Sequence, residues 1–454
     1  MNSGNTSFQF LDDLKECSKI IKQSKALKLS IVLNIIYVIG TIIGFLVSDF
    51  FLFAHDFLIF DQSSEILMNN PIELYTSDLY STDVLDNPFR YFPLFSLLNI
   101  PMSMIPFEIA FILHTFLMTS IHVASFYLIL ILCKKFYHLE VASWRETQFF
   151  VLALAAPLQV PNLVFGQISE IYIFLVLLSL VFLENAKTQR YKIQNNLFFA
   201  GLMIGLSIIY KPFSILLIPF LIPVFIDFKK KSFKIEFKST LNSLVGLILP
   251  ILPNLYYWIK YPNFIRDFFG VNASAQIFDY PSTSITRIIT SLVKVAGSAF
   301  PEFWFMIGFV LVLYIALYFT YITQSPQSRN FSIYFGFAFL ILMITYPDSW
   351  FLYFLIWYMV SVSGVLKYRY ILQQTENGLD KKHLWLSNLA IYVISNYGII
   401  YFAIGIVISL FLTKNLFEGY SIDFIQPLSL IFLAIALFWQ HLKLVTIQYA
   451  NKLK

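Results

Sequence analysis

The chain runs to 454 residues, 58% of them hydrophobic and only 13% charged, with a mean hydropathy of +0.72 and a net charge of +5. Soluble domains carry about 25% charged residues, so this composition excludes a soluble globular protein and specifies an all-α polytopic membrane protein. The length leaves room for about eleven or twelve transmembrane helices of roughly 20 residues with their loops. The surplus of positive charge is no argument for nucleic acid, because the basic residues mark topology.

A polar segment over 1–28 leads into the first apolar run, near 29–49, which is too long for a signal-peptide core and is expected to remain as a span. Further spans are expected near 108–133, 147–165, 168–184, 196–210, 212–228, 240–259, 301–323, 331–347, 350–367, 385–412 and 424–442, so that 29–454 forms one transmembrane domain. The stretch 91–106 is apolar but interrupted by Pro93, Pro101 and Pro106. It reads as a short or re-entrant element, since irregular backbone at membrane depth has to be covered by protein. The spans 196–210 and 212–228 are short and meet at Lys211-Pro212, the pattern of a tight hairpin.

Lysines and arginines then set the orientation. With the N-terminus in the cytoplasm, 24 of the 31 basic residues fall in cytoplasmic segments, among them Lys15, Lys19 and Lys22, the pair Lys134-Lys135, the run Lys229-Lys230-Lys231, Arg329, Lys367 and Lys454. The expectation is a multi-pass protein of the cell membrane with both termini cytoplasmic. Cys17 and Cys133 fall on that same side, so no disulfide framework is expected.

Two outward-facing loops are long, about 50–107 and 260–300. The first carries Asp56, Asp61, Glu65, Glu73, Asp78, Asp83 and Asp86 against Arg90; the second carries Lys260, Arg266, Arg287 and Lys294 against Asp267 and Asp279. A site between them would combine a proton acceptor with a phosphate clamp. Asp78, Asp83 and Asp86 sit in a Ser/Thr/Asn/Pro stretch and need no more explanation than solvation of the loop. Asp56, in the stretch HDFLIFD from His55 to Asp61, lies at the membrane boundary among aromatic residues, where a charge is costly unless it is used or paired. A short helix from about Leu58 to Asn69 would put Asp61 and Glu65 on one face.

Five landmarks follow in order. Asp56 has an aromatic residue, Phe60, four positions on and a short segment ending at NNPIELY, Asn69 to Tyr75. Then come Phe89-Arg90-Tyr91-Phe92-Pro93, Asn162-Leu163-Val164-Phe165-Gly166-Gln167, GLMIGLSIIYKP from Gly201 to Pro212, and Pro347-Asp348-Ser349-Trp350. In this order the chain resembles the GT-C glycosyltransferases, and among them glycosyltransferase family 87, the polyprenol-phosphate-mannose-dependent mannosyltransferases. It departs from them in having Phe60 where a Tyr is usual and Phe351-Leu352-Tyr353 where His residues usually follow the Ser-Trp.

The resemblance implies a GT-C-like helical bundle whose first long extracytoplasmic loop carries short helices. It implies a membrane-bound hexosyltransferase that moves a sugar, mannose in the family, from a polyprenyl-phosphate donor to a glycolipid or glycan acceptor, with inversion. Asp56 takes the position of the general base. Asp61, Arg90, Tyr91, Asn162, Gln167, Lys211, Arg266, Arg287 and Trp350 become substrate-binding candidates, with the arginines and Lys211 toward the donor phosphate. Neither a metal nor another cofactor is expected; the partners are membrane lipids, the lipid-linked donor and the acceptor. The sequence has no Gly-rich phosphate loop and no compact His/Cys/Asp cluster at metal-ligand spacing.

Blander readings stand beside these. His114 and His122 read as interhelical hydrogen-bonders, and Glu170 as an acid favouring the start of a helix. Asn272-Ala273-Ser274 is a formal glycosylation sequon. A transporter or flippase of lipid-linked or polar solutes is the rival from another class, although charges gathered at the outer face without two symmetric halves argue for an interfacial enzyme. An inactive assembly subunit is the third reading, kept open by the missing His.

Overall fold

The computed structural model describes residues 10–47, 53–76, 89–139, 144–188, 193–227, 232–273, 284–286, 289, 302–346, 349, 352–375, 435, 438 and 441–442. Long apolar segments in lipid can satisfy their backbone groups only within themselves, and among the described residues they fold into fourteen α-helices. In chain order these are α1 (Phe10–Gln23), α2 (Lys25–Val47), α3 (His55–Asn69), α4 (Pro93–Ser103), α5 (Phe107–Ile131), α6 (Trp144–Leu154), α7 (Gln159–Phe165) and α8 (Ser169–Thr188). They continue with α9 (Ile193–Tyr210), α10 (Phe237–Lys260), α11 (Asn263–Ala273), α12 (Glu302–Thr323), α13 (Phe331–Thr345) and α14 (Tyr353–Thr375).

Among the described residues, seven stretches are long and apolar enough to cross a membrane: Lys25–Val47, Phe107–Phe136, Thr147–Phe165, Ser169–Thr188, Ile193–Tyr210, Phe237–Lys260 and Trp304–Thr323. Two shorter apolar helices, Pro212–Leu221 and Phe331–Thr345, join them. The chain is thus an all-α polytopic membrane protein. The spans expected at 385–412 and 424–442 lie outside the described residues, apart from four positions near the end of the second.

One expected span is not a span. Residues 212–228 form a 3₁₀ helix over Pro212–Leu221, followed by strand β1 (Val224–Asp227), which pairs antiparallel with β2 (Ser232–Ile235) in the register Val224↔Ile235 and Asp227↔Ser232. Pro212, Pro219 and Pro223 each remove a helical donor and clash with the preceding turn, and beyond them VFID and SFKI have the alternation of short strands. Proline acts similarly in two other places. The stretch 91–106 yields only the eleven-residue α4. Thr147–Phe165 is interrupted between α6 and α7 around Pro157, and the carbonyl of Leu154 left at the break accepts from Asn34 Nδ2 at 2.6 Å and pairs with His122 Nε2 at 3.2 Å.

The chain divides into two compact units, each described by itself. One comprises Met1–Ile131, Leu154–Leu221 and Phe237–Ser274; the other comprises Leu132–Ala153, Ile222–Glu236 and Ala275–Lys454. In the first unit α9 and α10 cross at glycine. A Cβ on Gly201 would lie 2.0 Å from the Ser243 carbonyl oxygen, and one on Gly246 would lie 2.0 Å from that of Phe198. With Gly205 one turn further on, this is the small-xxx-small contact by which helices approach in lipid, where apolar burial alone gives no drive to associate.

The second unit buries polar groups that are satisfied by protein. Arg329, 1% exposed, donates to the carbonyls of Tyr321 and Val224 and lies 3.9 Å over the Tyr321 ring. His441 joins Thr320 Oγ1 at 3.1 Å to Tyr368 Oη at 2.6 Å through its two ring nitrogens. Asn330 Nδ2 donates to the Gly364 carbonyl at 3.0 Å, close to where α13 and α14 pack.

Candidate active site

The turn that ends α7 builds the site. In NLVFGQ the helix stops at Gly166, whose backbone is left-handed at φ +72°. The Gln167 amide reaches back to the Asn162 carbonyl at 2.8 Å and the Gly166 amide to that of Leu163 at 3.1 Å. These two bonds form the Schellman arrangement, which favours glycine at this position. A Cβ on Gly166 would also stand 2.5 Å from the Cβ of Phe57. The missing side chain is what lets α3 lie against the turn, and the Ala54 amide fixes it there with a 2.7 Å bond to the Val164 carbonyl.

That docking brings Asp56, in the first turn of α3, to Gln167, whose Nε2 donates to Asp56 Oδ2. Asp56 itself remains half-buried. On the far side of the amide, Lys211 Nζ donates to Gln167 Oε1 at 3.2 Å and to Ser169 Oγ at 3.4 Å. Lysine is a donor only, so it takes the oxygen end of the glutamine and leaves the amide hydrogens for the carboxylate. The result is a relay from Lys211 through Gln167 to Asp56. His114 Nε2 pairs with the Gln167 carbonyl at 3.3 Å, so this histidine is an interhelical hydrogen-bonder. Behind the relay Glu170 is fully buried at the start of α8, with no hydrogen-bond partner for either carboxylate oxygen.

Aromatic side chains hold α3 from both sides. Phe57 packs on Phe107, Phe111 and His114, with ring centroids 4.8–5.8 Å apart. Phe60 meets Tyr91 and Phe95 edge-on, at 5.3 and 4.9 Å. Tyr91 stacks on Phe95 at 4.7 Å, and its carbonyl accepts from Tyr75 Oη at 2.8 Å. Phe264 and Phe268 of α11 pack edge-on against Tyr75.

The substrate-binding candidates therefore separate. Gln167 and Lys211 join Asp56. Asn162 is fully buried in α7: its Nδ2 donates to the Leu158 carbonyl at 2.9 Å and its Oδ1 has no partner. Lys211 is only 3% exposed and stands behind the glutamine. Tyr91 borders α3 through Phe60, and Arg90 just before it is half-buried. Arg266 is exposed on α11, paired with Asp267 at 3.0 Å. Asp61, five residues after Asp56 and so turned away from it on α3, is half-exposed; burial, with a smaller push from Glu65, raises its carboxyl to about 6. Arg287 and Trp350 lie outside the described residues. Among the described residues, no group of three or more His, Cys, Asp or Glu side chains is placed to hold a metal ion.

Ser169 and Glu170 are the members of this cluster to which the sequence assigned no part in the site. Their one signal was position, two and three residues after Gln167 at the start of an apolar helix.

Residues 89–346, more than half of the chain, match the family model described as Glycosyltransferase family 87. The matched stretch contains Gln167, Glu170 and Lys211 and begins beyond Asp56. No curated protein matches the chain.

Proposed function

Since the chain belongs to glycosyltransferase family 87, we propose that it transfers a hexose, mannose before glucose, from a polyprenyl-phosphate sugar to a lipid-linked or glycan acceptor at the extracytoplasmic face, inverting the anomeric centre. One observation carries the reading: a half-exposed carboxylate at the edge of an apolar bundle, aimed by a buried glutamine whose orientation a buried lysine dictates.

In the proposed reaction Asp56 accepts the proton of the acceptor hydroxyl as that oxygen attacks the anomeric carbon. The bond from that carbon to the phosphate oxygen breaks with its electron pair on the phosphate, which leaves from the opposite face of the sugar. A phosphate is already a stable anion, so its departure needs cations or donors and no acid. The half-buried Arg90 and the exposed Arg266 on α11 are the proposed contacts, with Arg287 completing the set. No metal enters this scheme. The membrane anchors the prenyl chain, so donor binding needs only the headgroup to reach the site.

The test is an assay of membranes carrying the protein with labelled polyprenyl-phosphate mannose and, separately, glucose. The expected result is label from the mannosyl donor in a new glycolipid or glycan, lost in Asp56→Asn. Wild-type membranes that transfer neither sugar, or a label that changes membrane side without a new glycosidic bond, would overturn the reading.

A further inference from the structure

Between Glu16 and Asp49 the chain has four lysines, Lys19, Lys22, Lys25 and Lys28, and no acid. All four are exposed. Ser24 alone separates α1 from α2; its hydroxyl accepts from the Leu27 amide at 3.3 Å and its carbonyl from the Lys28 amide at 3.1 Å. On α1 the apolar side is turned to the bundle: Cys17 and Ile21 are buried, and Ser18 Oγ lies 3.4 Å from Tyr127 Oη of α5. Lys19 and Lys22, about one turn apart, are left on the open side. On α2 the placement is sharper. At about 100° per residue, Lys25 and Lys28 share roughly 100° of arc with the exposed Leu29, Val32, Ile36 and Ile43. The opposite stripe faces protein: Asn34 Nδ2 donates to the Leu154 carbonyl, and Phe45 packs on Phe111 at 4.6 Å. The two lysines therefore head the side of the helix that no other part of the chain covers. From Leu29 to the exposed Val47 at the end of α2, this apolar side is roughly 27 Å long at about 1.5 Å per residue, close to the ~30 Å of a hydrocarbon core.

We propose that Lys22, Lys25 and Lys28, with Lys19 beside them, form a binding surface for the headgroups of anionic phospholipids. The ammonium groups meet the lipid phosphates, and the acyl chains run along Leu29, Val32 and Ile36. An apolar side that matches the hydrocarbon in length sets the lysines at its end at headgroup depth. There a lysine is drawn to an anionic surface, and its alkyl stem covers apolar surface while its charge stays among the phosphates. Topology alone asks only for enough basic residues on one side of the membrane; it does not ask that they continue a lipid-facing stripe or that acids be missing around them. An acidic protein would have to displace lipid from α2 to reach Lys25 and Lys28, so the partner is the lipid itself. The inference is independent of the sugar-transfer reading.

The test is thermal unfolding of the full-length protein in lipid nanodiscs, made of phosphatidylcholine alone or of phosphatidylcholine with phosphatidylglycerol. Discs leave both leaflets open, so the readout does not depend on which side of a cell membrane the N-terminus occupies. The wild type should unfold about 3–6 °C higher with the anionic lipid, and the gain should shrink at about 0.5 M salt, which screens exposed charges. The triple variant Lys22→Gln, Lys25→Gln, Lys28→Gln should lose most of the gain. The corresponding triple arginine variant, which keeps the charge, should retain it. The gain is a difference between two lipids within one variant, so a variant of lower intrinsic stability still reports. A wild type indifferent to phosphatidylglycerol, or a triple glutamine variant with the full gain, overturns the proposal. Inorganic phosphate that reproduces the gain in phosphatidylcholine discs overturns the assignment to lipid.

Discussion

Two buried polar constellations, one in each unit, spend their charges differently. In the second unit Arg329 is enclosed by groups that consume it, two backbone carbonyls and the face of Tyr321, and His441 has both ring nitrogens engaged. In the first unit the buried lysine hands its influence through an amide to a carboxylate that is half-exposed, and a second acid, Glu170, is buried at the start of α8 with no hydrogen bond for either oxygen. A buried charge absorbed by neutral partners acts as a clamp on the fold. A charge chained to a carboxylate at the edge of the protein acts at a distance from where it is held. Substitutions should therefore divide cleanly, turnover lost in one unit and stability in the other.

The largest expected effect is on Asp56. Asp56→Asn keeps the size and the contact with Gln167 but removes the basic oxygen, so kcat should fall by about 10²–10⁴-fold, the usual worth of a general base, with little change in melting temperature. Normal turnover in Asp56→Asn, with loss in Asp61→Asn instead, would move the base to the other carboxylate of α3. Next comes Arg329→Met, which takes a buried donor away from the Tyr321 and Val224 carbonyls and removes a ring contact. It should cost about 3 kcal/mol of stability and leave the turnover of the folded fraction unchanged. A turnover defect in folded Arg329→Met would break the comparison.

Gly166→Ala tests the hinge between the α7 turn and α3. It combines a left-handed backbone with a Cβ that meets Phe57 at 2.5 Å, so it should destabilise by about 1–3 kcal/mol. It should also lower kcat by more than that stability loss explains, because α3 must shift. The smallest effect is on Asp61. Its carboxyl is raised from 3.8 to about 6 in the folded protein, so folding favours its protonated form and the native state loses stability as pH rises from about 4 through about 6. Asp61→Asn should thus melt like the wild type at pH 4 and above it at pH 7. The reverse order would show that the carboxylate is stabilised by a partner.

The membrane spans were legible because length and apolarity suffice to demand a helix, as in α2, α5, α8 and α10. The segment 212–228 was not, because hydropathy cannot weigh Pro212, Pro219 and Pro223 against an equally apolar VFID that pairs as a strand. The components of the candidate site stand out separately in the sequence: Asp56 from its place at a membrane boundary, Gly166-Gln167 from the resemblance. Their union does not, since nothing in local periodicity links residues 111 positions apart. Lys211 and Arg266 look alike in the sequence, yet one is buried behind an amide and the other open on α11. Glu170 looked like a helix-start acid, and the side of the helix that buries it depends on where α5 and α9 pack.

The bond from the Ala54 amide to the Val164 carbonyl also sets when the proposed catalytic geometry comes into being. The chain segment that orients Asp56 is synthesised long after Asp56 itself; at about 5–20 residues per second the interval is roughly 5–20 s. During that interval the acidic start of α3 has no seat. The nascent protein therefore lacks the proposed reaction centre until the α7 turn arrives. A ribosome stalled before residue 164 would hold a membrane-integrated chain in which the Asp56 site has not formed.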